Sequence, residues 1–147
     1  LIVVAQNESL ADYESTGIAV DGLVSSQLLI NIFEKNTPLH DGAVIIRGDR
    51  VTSATCYLPL SENTGLSKAL GTRHRAGIGI SEATDSVTLI VSEENGMISA
   101  AYQGELKRGL NQEGIEEVLS KIKNKTTEAR KLRLWKGRAK NEKKADS

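Results

Sequence analysis

The sequence predicts an α/β (α+β) fold: a single globular domain with a central mixed β-sheet and helices packed on both faces. Three observations lead there. β-rich runs outnumber helical periodicities and alternate with them irregularly, turn signals recur between neighbouring runs, and 147 residues at 39% hydrophobic and 26% charged suffice for one core. Frequent hairpins favour a mixed sheet over a doubly wound parallel one.

Leu1 to Ala5 reads as a buried strand, and Ile18 to Val24 as a second, interrupted by Asp21-Gly22 at a turn or bulge. Ser25-Ser26 then offers an N-cap. Leu28, Leu29, Ile32 and Phe33 recur at helical spacing until Pro38 forbids continuation, which predicts a short amphipathic helix followed by a loop from Asn36 to Asp41. Ala43 to Ile46 and Val51 to Leu58 flank Arg47-Gly48-Asp49-Arg50, a hairpin turn. Cys56 falls in the second of these strands and reads as a buried structural thiol, the only cysteine and so no source of an intramolecular disulfide.

A loop to about Thr72 and a helix from Arg73 to Ala83 come next, and the helix holds Gly77 and Gly79, each weakening it by about 1 kcal/mol relative to alanine. Packing or ligand approach must explain them. Val87 to Val91 and Met97 to Tyr102 are strands joined through Asn95-Gly96, a type I′ hairpin signal, and Gly104 to Leu110 adds a short edge strand. Asn111 caps the final helix, where Glu113, Glu116 and Glu117 lie early, Lys121, Lys123 and Lys125 late, and Ile115, Val118, Leu119 and Ile122 share one face.

The zero net charge hides an asymmetry. Residues 1 to 120 carry 8 Lys and Arg against 16 Asp and Glu, whereas residues 121 to 147 carry 11 against 3. An acidic body wears a basic tail. Such a body is a poor general binder of nucleic acid, so none is expected as a partner. The domain is expected to end near residue 125, with 126–147 a basic tail; its Leu132, Leu134 and Trp135 read either as part of a solvated segment or as a membrane or partner contact. No apolar run approaches the roughly 20 residues of a membrane-spanning helix. Because Leu1 rather than Met opens directly into an apolar run, the chain is expected to be a piece of a longer protein.

Two glycine-bracketed segments carry the candidate chemistry. In Pro38-Leu39-His40-Asp41-Gly42-Ala43, Asp41-Gly42 reads either as a turn into a strand or as a carboxylate beside an imidazole, suited to a divalent cation and a substrate hydroxyl. In Gly71-Thr72-Arg73-His74-Arg75, a small residue and a hydroxyl N-cap precede a helix whose free N–H groups suit an anion, and the arginines add fork-shaped donors. Phosphate binding is favoured there over pairing with the surplus acids. No Gly-x4-Gly-Lys-Ser/Thr, complete dinucleotide fingerprint, His-Glu-x-x-His, Gly-x-Ser-x-Gly or paired-cysteine motif occurs, which removes kinase, Rossmann and zinc-protease readings.

Taken together, His40-Asp41-Gly42-Ala43 and Gly71-Thr72-Arg73-His74-Arg75, about thirty residues apart, resemble the two signature motifs of the diadenylate cyclase domain. The likeness covers roughly residues 1 to 120 and is nearest to the membrane-anchored bacterial type. It implies joining of two ATP molecules into cyclic di-AMP with release of two pyrophosphates, a divalent metal (manganese, cobalt or magnesium), and a face-to-face homodimer carrying one ATP per subunit. It also implies a place on the cytoplasmic face of the membrane, a membrane regulator and a phosphosugar mutase as partners. A nucleotide-binding regulatory module without turnover is the alternative.

By that resemblance, Asp41 and Arg73 are the catalytic pair and His40 and Asp41 the metal ligands. Gly42 contacts ribose or base through its backbone, with Ala43 beside it. Gly71, Thr72 and Arg73 hold the triphosphate, while His74 and Arg75 shape the loop or reach the leaving pyrophosphate. Tyr57 and Leu58 receive the adenine. Ser92 and Glu94 either complete the site or are plain hairpin residues.

Overall fold

Short β-branched runs build the molecule, and the computed structural model describes residues 1–122 of it. Along the chain come β1 (Ile2–Val4), α1 (Ala11–Glu14), β2 (Ile18–Leu23), α2 (Ser26–Ile32), β3 (Ala43–Arg47), β4 (Arg50–Cys56), α3 (Thr72–Ala83), β5 (Val87–Val91), β6 (Ile98–Tyr102) and β7 (Glu105–Lys107). The seven strands form one sheet in the order β2-β4-β3-β1-β5-β6-β7. Only β1 and β3 run parallel; every other neighbouring pair is antiparallel. The expected mixed sheet is present. These elements belong to the unit Leu1–Asn111; residues 112–122 form a further helix outside it, with Lys121 pairing to Glu117 one turn earlier. The expected boundary at 125 and the tail 126–147 lie outside the described residues.

Alternation along β3 shows how both faces are covered. Ala43 and Ile45 pack with Val3, Leu10 and α3 residue Ile80, whereas Val44 and Ile46 pack with α2 residue Ile32 and with Val51 and Ala54. Helices therefore lie on both sides of the sheet. A third cluster, Leu70, Ile78, Ile90 and Ala101, seats α3 on β5 and β6. Burying such side chains contributes about 1.5 to 3 kcal/mol each, enough to hold helices this short.

The α3 glycines answer the question the sequence posed. A Cβ on Gly77 would come within 2.5 Å of Ile90 Cδ1, and one on Gly79 within 1.8 Å of the Pro59 carbonyl oxygen. Close packing requires both. α2 begins as expected, with Ser25 Oγ accepting the Leu28 N–H at 3.1 Å.

Three local expectations are corrected. The N-cap of α3 is Gly71, in extended conformation, with Thr72 as first helical residue and no side-chain cap bond. Asn95-Gly96 is no type I′ turn: Gly96 has φ +70° but Asn95 is not at positive φ, and the connection runs six residues because Ser92 and Met97 close it, Ser92 N–H donating to the Met97 carbonyl at 2.9 Å. The two-residue turn with both φ values positive is Gln103-Gly104, at +49° and +80°. β4 stops at Cys56, two residues early, since Thr55 adopts φ +51° and bends the strand off the sheet. The single turn α1 carried no periodicity that a sequence reading detects.

Candidate active site

One end of the sheet collects the beginnings of β1, β3 and β6 and the ends of β4, β5 and β7, an outcome of the strand order and directions. The start of α3 lies there too. Between them opens a cleft of about 660 Å³ that both glycine-bracketed segments reach, through Asp41 and Gly42 on one side and Gly71, Thr72, Arg73 and His74 on the other. Tyr57, Leu58, Ser92 and Glu94 also line it. The volume falls within the roughly 300 to 1,000 Å³ usual for small-molecule sites.

Asp41 stands exposed at the mouth, with one carboxylate oxygen accepting the Gly42 N–H at 3.0 Å. The other oxygen has no partner among the described residues. Gly42 is needed for backbone reasons: its φ is +76°, and a Cβ there would meet the Cys56 carbonyl oxygen and the Thr55 carbonyl carbon at 3.0 Å. Thr55 itself is a β-branched residue at positive φ, a strain of about 1 to 3 kcal/mol stored beside the site.

Opposite, α3 starts with Arg73, His74 and Arg75 and no acid in its first turn. Cations at the positive end of the helix dipole are unfavourable alone, so this arrangement suits an anion placed against the first N–H groups. Gly71 has open space where a Cβ would be, so nothing of the chain itself crowds that approach. The Arg73 guanidinium is aimed by two acceptors, donating to the Val91 carbonyl at 3.0 Å and pairing with Glu93. His74 is held below its ordinary pKa by burial first, then by Arg108 and Arg73, against an upward pull from Glu94.

Tyr57 lines the cleft and is 76% exposed, and its backbone N–H donates to Thr16 Oγ1 at 2.8 Å. Ser92 has a structural duty in its turn, Oγ accepting the Glu94 N–H at 3.3 Å. Cys56 touches the floor of the cleft but is 1% exposed, and burial together with Glu14 pushes its thiol pKa up. An inert thiol results.

Three residues expected in the site do not line the cleft. Ala43 is fully buried, because as the first residue of β3 its methyl group faces the core beside Val3 and Ile45. Arg75 is turned off the cleft side by the helical period, its carbonyl accepting the Ser61 N–H at 3.0 Å. His40 sits in the preceding loop, where its ring Nδ1 donates to the Thr37 carbonyl at 2.7 Å. Conversely, Glu93, Asn95, Met97, Leu60 and Arg108 line the cleft without having been singled out. Glu93 carried no signal separating it from Glu94, whereas Arg108 follows an edge strand whose end the strand order brings to the site.

For a divalent cation, the donor chemistry fits a shared rather than a prebuilt site. Among the described residues no three His, Cys, Asp or Glu side chains converge. Asp41 has its second carboxylate oxygen, and the Nδ1 contact of His40 leaves Nε2 outside that hydrogen bond, the pattern usual for a ligating histidine. Phosphate oxygens of a bound substrate supply the remainder where a cation is held by few carboxylates.

Known proteins resemble this chain in sequence and in fold. The chain is 50% identical over 140 residues to the cyclic di-AMP synthase CdaA of Bacillus subtilis, covering 95% of this chain and 51% of that protein. It is 57% identical over 121 residues to a diadenylate cyclase of Listeria monocytogenes, covering 82% and 44%. The chain thus spans about half the length of these curated relatives. A crystallised double mutant of DacA from Staphylococcus aureus superposes with a TM-score of 0.80 at 50% identity, over 82% of this chain and 81% of that one. The DAC family, described as DisA bacterial checkpoint controller nucleotide-binding, matches residues 1–106, and the chain belongs to it.

Proposed function

We propose that this chain is the catalytic domain of a diadenylate cyclase, a nucleotidyltransferase that condenses two ATP into cyclic di-AMP and two pyrophosphates. One observation carries the reading: Asp41-Gly42 and Gly71 to His74, far apart in sequence, share a single cleft. The names of the Bacillus and Listeria relatives support the same reaction.

Each 3′-hydroxyl attacks the α-phosphorus of the other ATP, forming two phosphodiester bonds and breaking two bonds to pyrophosphate. One cleft holds one nucleotide, so closing the ring takes two subunits face to face, with reacting atoms about 3 to 3.5 Å apart. Asp41 orients the 3′-hydroxyl and accepts its hydrogen bond. Thr72 and Arg73 hold the triphosphate at the start of α3, Tyr57 and Leu58 receive the adenine, and His74, Ser92 and Glu94 border the phosphates. His40 and Asp41 are the donors we assign to a divalent cation, manganese, cobalt or magnesium. Such a cation would supply charge neutralisation and would lower the cost of removing the hydroxyl proton.

Among the described residues no helix is long and apolar enough to cross a membrane. We place the domain at the cytoplasmic face of the cell membrane, attached through segments outside this chain, with a membrane regulator and a phosphosugar mutase as partners. A solved structure of a hypothetical membrane spanning protein from Bacillus cereus, 43% identical with a TM-score of 0.72 over 75% of this chain and 54% of that one, supports the association with a membrane.

Incubation with ATP and each of the three metals, followed by chromatography, tests the reaction. Cyclic di-AMP and pyrophosphate in a 1:2 ratio are expected. ATP returned unchanged at every metal and protein concentration rejects turnover and leaves a nucleotide-binding module.

A further inference from the structure

The cleft has an unequal supply of charge. Its lining holds Asp41, Glu93 and Glu94 against Arg73 and Arg108, with His74 held toward its neutral form. A triphosphate must enter a wall that is net negative. Arg73 is already engaged by Glu93 and the Val91 carbonyl, whereas Arg108 is exposed and makes no ion pair among the described residues. Arg108 is the guanidinium with its donors still available.

Its position is fixed by the backbone. After β7 ends at Lys107, Gly109 takes φ +67° and the Leu110 N–H donates to the Ile98 carbonyl at 2.9 Å. Arg108 is thereby kept level with the start of β6. The strand order then acts as a ruler across the end of the sheet. Tyr57 and Leu58 follow β4, Asp41 precedes β3, Arg73 is bonded to the end of β5, and Arg108 follows β7. Successive strands lie about 4.8 Å apart, so Arg108 is some two strands, about 10 Å, beyond the β5 anchor, on the side away from Asp41 and Tyr57.

We propose that Arg108 binds the phosphates beyond the α-phosphate and sets the preference of this cleft for a nucleoside triphosphate over the monophosphate. The proposal rests on the nucleotide reading above. It gives the outer phosphates a fork-shaped partner, a task that Arg75, absent from the cleft lining, does not perform.

Calorimetric titration with 3′-deoxy-ATP and 3′-deoxy-AMP in magnesium tests it, since neither analogue can cyclise. Arg108→Ala is expected to weaken the triphosphate at least tenfold and the monophosphate less than twofold, with Arg108→Lys between wild type and Ala. Unchanged affinity for 3′-deoxy-ATP in a variant with wild-type thermal stability overturns the proposal, as does an equal loss for both ligands. Failure of the wild-type chain to bind 3′-deoxy-ATP at all rejects the nucleotide reading instead, so the two failures are distinguishable.

Discussion

Arg73 and Glu93 form an ion pair at the opening of the cleft, and the same guanidinium donates to the Val91 carbonyl at 3.0 Å. Two acceptors on the end of β5 and its turn thus fix a donor that belongs to α3. Removing a charge-assisted hydrogen bond costs about 1.5 to 3 kcal/mol, so Arg73→Ala should lower kcat/KM by about 10- to 100-fold. Arg73→Lys should recover little, because a point charge cannot serve two acceptors and a phosphate in one plane. Full activity in the lysine variant would mean that charge alone matters.

Asp41→Asn preserves shape and the contact with the Gly42 N–H while removing the charge. Nucleotide affinity should stay within about threefold, and product formation should fall by at least about 100-fold. Calorimetry and chromatography on one preparation separate the two quantities, and near-normal synthesis would remove Asp41 from the reaction.

Lowering the pH should destabilise the fold through His74. Its folded pKa lies below the ordinary 6.5, first because of burial and then because of Arg108 and Arg73, so the unfolded chain binds the proton more readily. The contribution is complete above about 6.5 and is lost as pH falls through the lowered value. Urea midpoints between pH 7.5 and 5 should decrease, less steeply in His74→Gln; proton NMR should find the His74 midpoint below 6.5 and higher in Arg108→Ala. An identical slope in wild type and His74→Gln would exclude this residue as the cause.

Gly79 and Gly71 should respond oppositely to alanine. At Gly79 the added carbon meets the Pro59 carbonyl oxygen at 1.8 Å, backbone against backbone, and a loss of about 2 to 4 kcal/mol is expected in denaturant melts. At Gly71 the carbon meets nothing within 4 Å, so the fold should persist while nucleotide binding weakens.

In the proposed face-to-face arrangement two subunits share each reaction, so specific activity should rise with protein concentration in the dilute range. Activity measured across a dilution series beside sedimentation checks this; a constant value down to monomer concentrations would contradict the face-to-face arrangement.

Most strands were legible because Val and Ile cluster in them, and α3 was placed to within one residue despite its glycines. The hairpin assignments show where local chemistry misleads. Asn95-Gly96 carries the stronger two-residue signal, yet the bond between Ser92 and Met97 spreads that connection, while Gln103-Gly104 adopts the tight turn because Tyr102 and Glu105 pair on either side of it. Tertiary pairing outvotes turn propensity.

The cleft lining was legible where its residues are adjacent in sequence. Asp41-Gly42 and Gly71 to His74 reach the cleft, but the facing of individual side chains depends on strand register and helix phase, which sent Ala43 to the core and Arg75 off the cleft side. Glu93 and Arg108 depend on the order of β5, β6 and β7, a property no single segment encodes.

The cleft opens at the end of the sheet where β3 begins and β4 ends, and the loop joining β3 to β4 lies at the opposite end. Gly48, in the loop between β3 and β4, has φ +60° and open space around it, and its hairpin points away from the cleft. A reporter dye or a short peptide graft inserted between Gly48 and Asp49 gives this domain a handle for immobilisation or single-molecule observation that leaves the reacting side unobstructed.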